Sequence, residues 1–324
     1  MAEIGFKLAC ELFGPHELIN YAEHAEKAGF DFAAISDHYH PWLGQQGNSP
    51  FVWSTLGAIS QVTEDLNLMT GVTCPTIRQH PALVAQAVAT VATLMPGRFI
   101  LGVGSGENLN EHIYGDHWPP APIRIEMLAE AVDVIRTLWQ GGMQDYDGYY
   151  YHVENAQIYT LPEELPPIYM AADGPIAATT AGVNGDGLIV SGGKRELLDI
   201  FNKTGGKGKP SYSETSLSWA ETDEKAVDLV YRWWPLMALK GNVSWDIPTQ
   251  THFEELAKNV KKEDIKGSIP CSSDPQVHID TIKKNIDAGF DRVCIQQIGN
   301  NQHEFIDFYK EEVLPEFQSG QKRL

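Results

Sequence analysis

The sequence predicts an α/β protein whose strands close into a (β/α)8 barrel of the TIM type, and three observations carry that expectation. Short apolar runs alternate with amphipathic stretches along the whole chain. The alternation repeats about eight times, which favours closure over an open doubly wound sheet, the structural alternative. Polar residues and glycines collect directly after the apolar runs, at the strand ends where barrels of this kind place their active groups.

The elements follow in order. Ile4 to Cys10 reads as the first strand, and Pro15 to Ala28 as a helix with Leu18, Ala22 and Ala25 on one face and Gly29 as its stop. Phe32 to Ser36 is a strand, Ser54 to Thr63 a helix, Leu66 to Thr73 a strand and Ala82 to Leu94 a helix. Phe99 to Gly104 and the long helix Ile123 to Trp139 come next. The second half repeats the scheme with strands at Pro167 to Ala172, Gly187 to Ser191, Ser211 to Ala220 and Arg292 to Gln296. Helices are expected at Pro175 to Val183, Asp223 to about Leu239 and Gln302 to Glu312. The expected organisation is one barrel domain over 1–324 with insertions near 142–158 and 240–273. The first insertion reads as a hairpin turning at Asp147-Gly148. The second is polar, broken by Gly and Pro, and long enough for a binding loop or lid.

Composition narrows the function. With 24 Lys plus Arg against 43 Asp plus Glu, the net charge of −19 argues against nucleic acid or an anionic membrane as partner. Cys10, Cys74, Cys271 and Cys294 show no C-x-x-C spacing, so free thiols are expected rather than a disulfide framework or a zinc site. The N-terminus carries acids and glycine where a signal peptide needs a basic end and an apolar core, and no apolar run approaches the ~20 residues of a membrane helix. A cytoplasmic enzyme is the expectation.

The strand ends hold the candidate chemistry. Glu11 follows the first strand, Asp37-His38-Tyr39-His40-Pro41-Trp42 the second, and Thr73-Cys74-Pro75-Thr76 the third. Gly104 to Asn110 follows the fourth, Asp173-Gly174-Pro175 the fifth and Gly192-Gly193-Lys194 the sixth. His38 and His40 share one side of an extended segment, as metal ligands can, but other strand ends offer no further His or Cys cluster, and no metal is expected. A structural histidine beside Trp42 is the alternative for either ring alone. As a general base, His38 suits neutral pH through its ordinary pKa near 6.5. Glu107 follows a Gly-rich turn open to a ligand and can serve as the acid, or else lie at a helix N-terminus favoured by the dipole. Gly102-Val103-Gly104-Ser105-Gly106 is only half a dinucleotide fingerprint, and on the wrong strand for it. Gly174-Pro175 opens a helix whose free N–H groups can hold a phosphate, although Asp173 beside it opposes an anion.

Three strings carry a resemblance: SDHYHPW, TCPTIRQHPALVAQAVATVATLMPGRFILGVGSGENLNE and YMAADGP-x-AA. They resemble the luciferase-like superfamily, and within it the F420-dependent glucose-6-phosphate dehydrogenase family, related to F420-dependent secondary alcohol dehydrogenase. The resemblance is strong from Ile4 to Gly192 and weak from Lys194 to Ser273. It implies a homodimeric luciferase-like barrel with coenzyme F420 (an 8-hydroxy-5-deazaflavin) in its mouth. Asp37, Asn110 and the Gly71-Val72 backbone are implied to contact the ring system, with a non-prolyl cis peptide between Gly71 and Val72. Cys74, Glu107, Ala171, Ala172, Asp173 and Gly174 complete the implied cofactor set. The implied chemistry gives His38 the proton of the substrate hydroxyl, sends hydride from that carbon to C5 of the deazaflavin, and assigns Glu107 to the reduced ring and Trp42 to the reacting centre. Glu11, Trp42, Ser191 and Lys194 are the implied substrate residues, the last two holding a sugar phosphate.

The chain departs from the pattern at three places. Cys74 stands where the sugar-phosphate enzymes tend to have Thr, and so matches the alcohol-dehydrogenase branch. Asp173 replaces a small residue near the cofactor's phosphodiester. Glu254 and Glu255 lie where a further cation is expected, with Lys258 one turn on, and Lys283 and Lys284 have no assigned place. The substrate is therefore read as an alcohol or a sugar, with or without a phosphate. An FMN-dependent monooxygenase and a non-catalytic deazaflavin-binding protein are the alternatives.

Overall fold

A computed structural model describes residues 2–239, 241 and 243–318. The strands are β1 (Glu3–Leu8), β2 (Phe32–Ile35), β3 (Asn67–Thr70), β4 (Phe99–Val103), β5 (Gln144–Asp147), β6 (His152–Ala156), β7 (Ile168–Ala171), β8 (Gly187–Ser191), β9 (Ser211–Leu217) and β10 (Arg292–Gln297). Eight of them form a closed parallel barrel in the order β1-β2-β3-β4-β7-β8-β9-β10, sealed where β10 pairs with β1. This is the predicted (β/α)8 architecture. Strands β5 and β6 form a separate antiparallel hairpin.

Side-chain alternation along each strand sorts residues between two apolar layers. Phe32 and Ala34 point inward and meet Met69, Ile100, Tyr169, Ile189, Tyr212 and Cys294 in the barrel lumen. Ala33 and Ile35 point outward into the larger core between strands and helices. Gly5 in β1 leaves the space that the Phe32 ring fills, since a Cβ there would lie 2.0 Å from it.

The α-helices are α1 (Pro15–Ala28), α2 (Val52–Ile59), α3 (Pro81–Leu94), α4 (Asn108–Glu111), α5 (Ala121–Leu138), α6 (Pro175–Asn184), α7 (Arg195–Phe201), α8 (Asp223–Trp233), α9 (Gln250–Ala257), α10 (Lys262–Ile265), α11 (Pro275–Asp287), α12 (Gln302–Phe308) and α13 (Pro315–Gln318). Helix α1 shows how they seat. Glu17 accepts from the Gly14 amide at its start, Leu18, Ala22 and Ala25 are buried, and Gly29 ends it at φ 94°. Burying Leu18 contributes about 1.5–3 kcal/mol, and Leu18→Ala would cost about 2–5 kcal/mol.

The insertion near 142–158 is a hairpin, as expected, but four residues rather than two join its strands. Glu130 of α5 explains the wider turn: it accepts from the amides of Tyr149, Tyr150 and Tyr151. Gly148 lies so close to that carboxylate that a Cβ would be 2.0 Å from Oε1. In the excursion 240–273, positions 240 and 242 lie outside the described residues. The remainder carries α9 and α10, and Phe253 of α9 packs with Leu43 and Leu109 at the strand ends. Helices α7 and α11 fall in stretches where no helix was expected.

Candidate active site

The connection after β2 places His38 between two carboxylates. Glu11 Oε1 is 3.0 Å from its Nδ1 and Glu107 Oε1 is 3.6 Å from its Nε2. The Glu11 contact lies off the direction of a hydrogen bond, so it acts through charge. Burial disfavours the imidazolium, but Glu11, and after it Glu107, outweigh that cost and push the His38 pKa up to about 9. Burial raises the Glu11 pKa and His38 more than reverses it, holding the carboxyl down to about 2. At neutral pH the free protein therefore carries a His38 imidazolium, a correction to the value near 6.5 expected from the ordinary group. Glu11 is buried behind the ring, which makes it a partner of His38 rather than part of the cavity wall.

Trp42 meets the His38 ring edge to face at 5.5 Å and is itself edged by Phe253 at 5.2 Å. His40 turns elsewhere, with Nδ1 3.0 Å from the Leu109 carbonyl. Among the described residues no group of three or more His, Cys, Asp or Glu side chains is arranged to hold a metal.

Asn110 links the two active loops. Its Oδ1 accepts from the amides of Tyr39 and His40, both at 2.7 Å, and its Nδ2 donates to Glu107. One buried amide thus sets the Glu107 carboxylate and the chain just after His38. Asp37 is enclosed by protein donors: Arg78 Nη2 at 3.0 Å, Gln79 Nε2 at 2.7 Å and Thr73 Oγ1 at 2.8 Å. Neither Asp37 nor Asn110 lines the cavity, and His38 and Trp42 are not in its lining either, His38 adjoining it through Glu107.

A cavity of about 440 Å³ opens at the strand ends. Of the predicted residues, Gly71, Val72, Cys74, Glu107, Ala171, Ala172, Asp173, Gly174 and Ser191 line it. The Gly71–Val72 bond is cis. Lys194 is not among the lining residues and pairs with Asp173 instead. All four cysteines are free, three of them buried, with Cys271 partly exposed.

Several residues were not anticipated. Lys7 is buried below the cavity and donates to the Gly71 carbonyl and to Glu214 Oε2, both at 2.6 Å. Burial opposes its charge, but Glu214 more than offsets this and raises the Lys7 pKa. A lone cation within an apolar strand was the available signal. Arg124 also lines the cavity. It shares the buried face of α5 with Leu128, Ala131, Val132 and Ile135, a charged residue at an apolar position of the helical repeat.

A flat, largely apolar ring with polar edges fits this cavity. Val72, Gly104, Ala171 and Ile189 offer apolar surface and Glu107 an acid. Fold and site together describe a barrel whose mouth can take a planar organic group, with an acid–base group at the wall. The chain matches the luciferase-like monooxygenase family model over residues 4–292 and belongs to that family. It is 36% identical to an F420-dependent glucose-6-phosphate dehydrogenase of Microbacterium testaceum, with 96% of each chain covered. It is likewise 36% identical to the enzyme of that name from Nocardia farcinica, covering 97% of each. Among solved structures, an F420-dependent secondary alcohol dehydrogenase in complex with an F420-acetone adduct superposes with a TM-score of 0.89 at 28% identity, over 97% of this chain and 98% of that one.

Proposed function

We propose that this chain is a coenzyme F420-dependent dehydrogenase that oxidises a CH–OH group of an alcohol or a sugar. The observation that carries the reading is the seating of His38 between Glu11 and Glu107, with Glu107 in the wall of a cavity suited to a deazaflavin. When bound, the deazaflavin supplies hydride chemistry at C5, and the protein supplies geometry and proton handling.

His38 Nε2 takes the hydroxyl proton once the ring is neutral, and the charge of Glu11 stabilises the imidazolium that forms. Glu107, held by Asn110, presents a carboxylate to the polar edge of the ring system. Trp42 shields the reacting centre from water and gives the developing charge an aromatic face. Gly71, Val72, Cys74, Ala171, Ala172, Asp173 and Gly174 form the bed of the cofactor, supported by their place in the cavity wall. Asp37 and Asn110 serve the cofactor from behind that wall. Ser191 and Lys194 receive a substrate phosphate where one is present.

We also propose one barrel domain that works as a cytoplasmic homodimer, resting on the family resemblance. Among the described residues no helix is long and apolar enough to cross a membrane. The net charge of −19 supports a small-molecule substrate over nucleic acid.

Titration with F420 and with FMN tests the cofactor: F420 should quench protein fluorescence at lower concentration, and tighter FMN binding overturns the reading. Loss of F420 absorbance with 2-propanol or glucose 6-phosphate tests the reaction. His38→Ala should lower kcat about 10²–10⁴-fold while sparing F420 affinity, and unchanged turnover would remove His38 from its role.

A further inference from the structure

The cavity wall holds one cation that the proposed chemistry does not use. Arg124 is 5% exposed and lines the cavity. Its Nη1 donates to the Pro119 carbonyl at 2.6 Å, and its guanidinium lies 4.0 Å from the centre of the Trp118 ring. Its Nε is buried with no acceptor. A buried guanidinium ordinarily has a well-aligned carboxylate, because an uncompensated charge is costly. Here the only carboxylate within ion-pair distance among the described residues is Asp246, through one oxygen at 3.8 Å.

Asp246 is poorly suited to be a permanent partner. Its side chain is 69% exposed, and the oxygen that faces Arg124 already accepts from Trp118 Nε1 at 2.9 Å. It belongs to the excursion after α8, where Trp245 lines the cavity and the Asp246 carbonyl accepts from Asn108 Nδ2 at 3.0 Å. Asn108 directly follows Glu107, so this strap is tied to the active loop beside the acid.

We infer that Arg124 is the receptor for an oxyanion of the bound ligand, and that Asp246 holds its place until the ligand arrives. The oxyanion is a phosphate or carboxylate, brought either by the phosphodiester tail of the deazaflavin or by a phosphorylated substrate. Its oxygens complete the Nε donor and take over the weak contact to Asp246. Glu107, Asp173 and Glu214 also line the cavity, so the anion must seat directly on Arg124. Which oxyanion arrives rests on the deazaflavin reading; the receptor itself does not.

Arg124→Gln and Arg124→Lys separate the sources. If the anion is the cofactor tail, Arg124→Gln weakens F420 binding about tenfold or more and leaves the tail-free deazaflavin chromophore unchanged. If it is the substrate, the KM for glucose 6-phosphate rises by a similar factor while F420 affinity and the KM for 2-propanol hold. Arg124→Lys should recover part of either loss, and Asp246→Asn should tighten the same ligand severalfold. Inorganic phosphate supplies a reading without deazaflavin: it should raise the Tm of the unaltered chain and not that of Arg124→Gln. Should the chain bind no deazaflavin at all, the phosphate shift still tests Arg124, so the two failures remain distinct. The inference is overturned if Arg124→Gln changes none of these, or if it weakens the tail-free chromophore as much as F420.

Discussion

Glu11 lies 3.0 Å from His38, and the two groups shift in opposite directions, the acid down to about 2 and the base up to about 9. Oxidation of an alcohol needs the neutral imidazole to accept a proton. The kcat/KM for oxidation should therefore climb with pH until about 9 and then level, while carbonyl reduction, which needs the imidazolium as donor, should fall above that point. Glu11→Gln removes the main stabiliser of the imidazolium and should move the limb down by about 1–3 pH units. Rate profiles of the two proteins check this, and a limb that stays in place denies Glu11 its influence.

The same pair makes a stability prediction. His38 has a folded pKa above its ordinary 6.5, so its contribution is complete below 6.5 and is lost as pH rises through about 9. Glu11 has a folded pKa below its ordinary 4.5, so its contribution is complete above 4.5 and is lost as pH falls through about 2. Both terms are whole between pH 4.5 and 6.5. Subtracting the urea-unfolding profile of Glu11→Gln from that of the unaltered chain should leave a difference that is largest in that window. A difference flat across pH would contradict the ion pair.

Asp37 separates a cofactor contact from a structural anchor. Its carboxylate accepts from Thr73, Arg78 and Gln79, and Arg78 Nε is also 3.5 Å from Glu111. Asp37→Ala strips a buried guanidinium of its nearest counter-charge and should cost about 3–5 kcal/mol in urea unfolding. Full stability combined with lost F420 binding would instead make Asp37 a contact alone.

Asn110 should couple two loops in one measurement. Asn110→Ala leaves the amides of Tyr39 and His40 without their acceptor and frees Glu107 from its donor. A loss of about 2 kcal/mol is expected. Because two loops of the site shift together, kcat should also fall at saturating F420. Wild-type kcat in a destabilised variant would reduce Asn110 to a loop tie.

What was legible in the sequence divides along these lines. Strand β2 reads directly, because Phe32, Ala33, Ala34 and Ile35 are all buried, half in the lumen and half against helices. The strand ends named part of the cavity wall, Cys74, Gly104 to Glu107 and Asp173 to Pro175, since position after an apolar run is a local signal. Helix α11 did not show itself, because polar residues sit on its buried face. His278 is satisfied by the Tyr309 hydroxyl and the Ser272 carbonyl, and Asn285 by Ser213 and the Thr281 carbonyl. Such pairings break the apolar period, and the partners lie up to 72 residues away in the chain. The enclosure of Asp37 was hidden for the same reason, as Arg78 and Gln79 lie 41 and 42 residues on.

Lys194 carries the remaining question of substrate. It lies outside the cavity lining and pairs with Asp173, which does line the cavity. Both side chains are more than a third exposed, so the pair itself adds little stability. A substrate phosphate must draw Lys194 away from Asp173 and approach that carboxylate as it does so. Asp173→Asn removes both obstacles, and should lower the KM for glucose 6-phosphate severalfold while leaving that for 2-propanol unchanged. Lys194→Ala should raise the first KM about tenfold, the loss of one charge-assisted contact, again sparing the second. If both variants change neither KM, Lys194 and Asp173 are only a surface pair at the rim, and the natural substrate is an alcohol without a phosphate there.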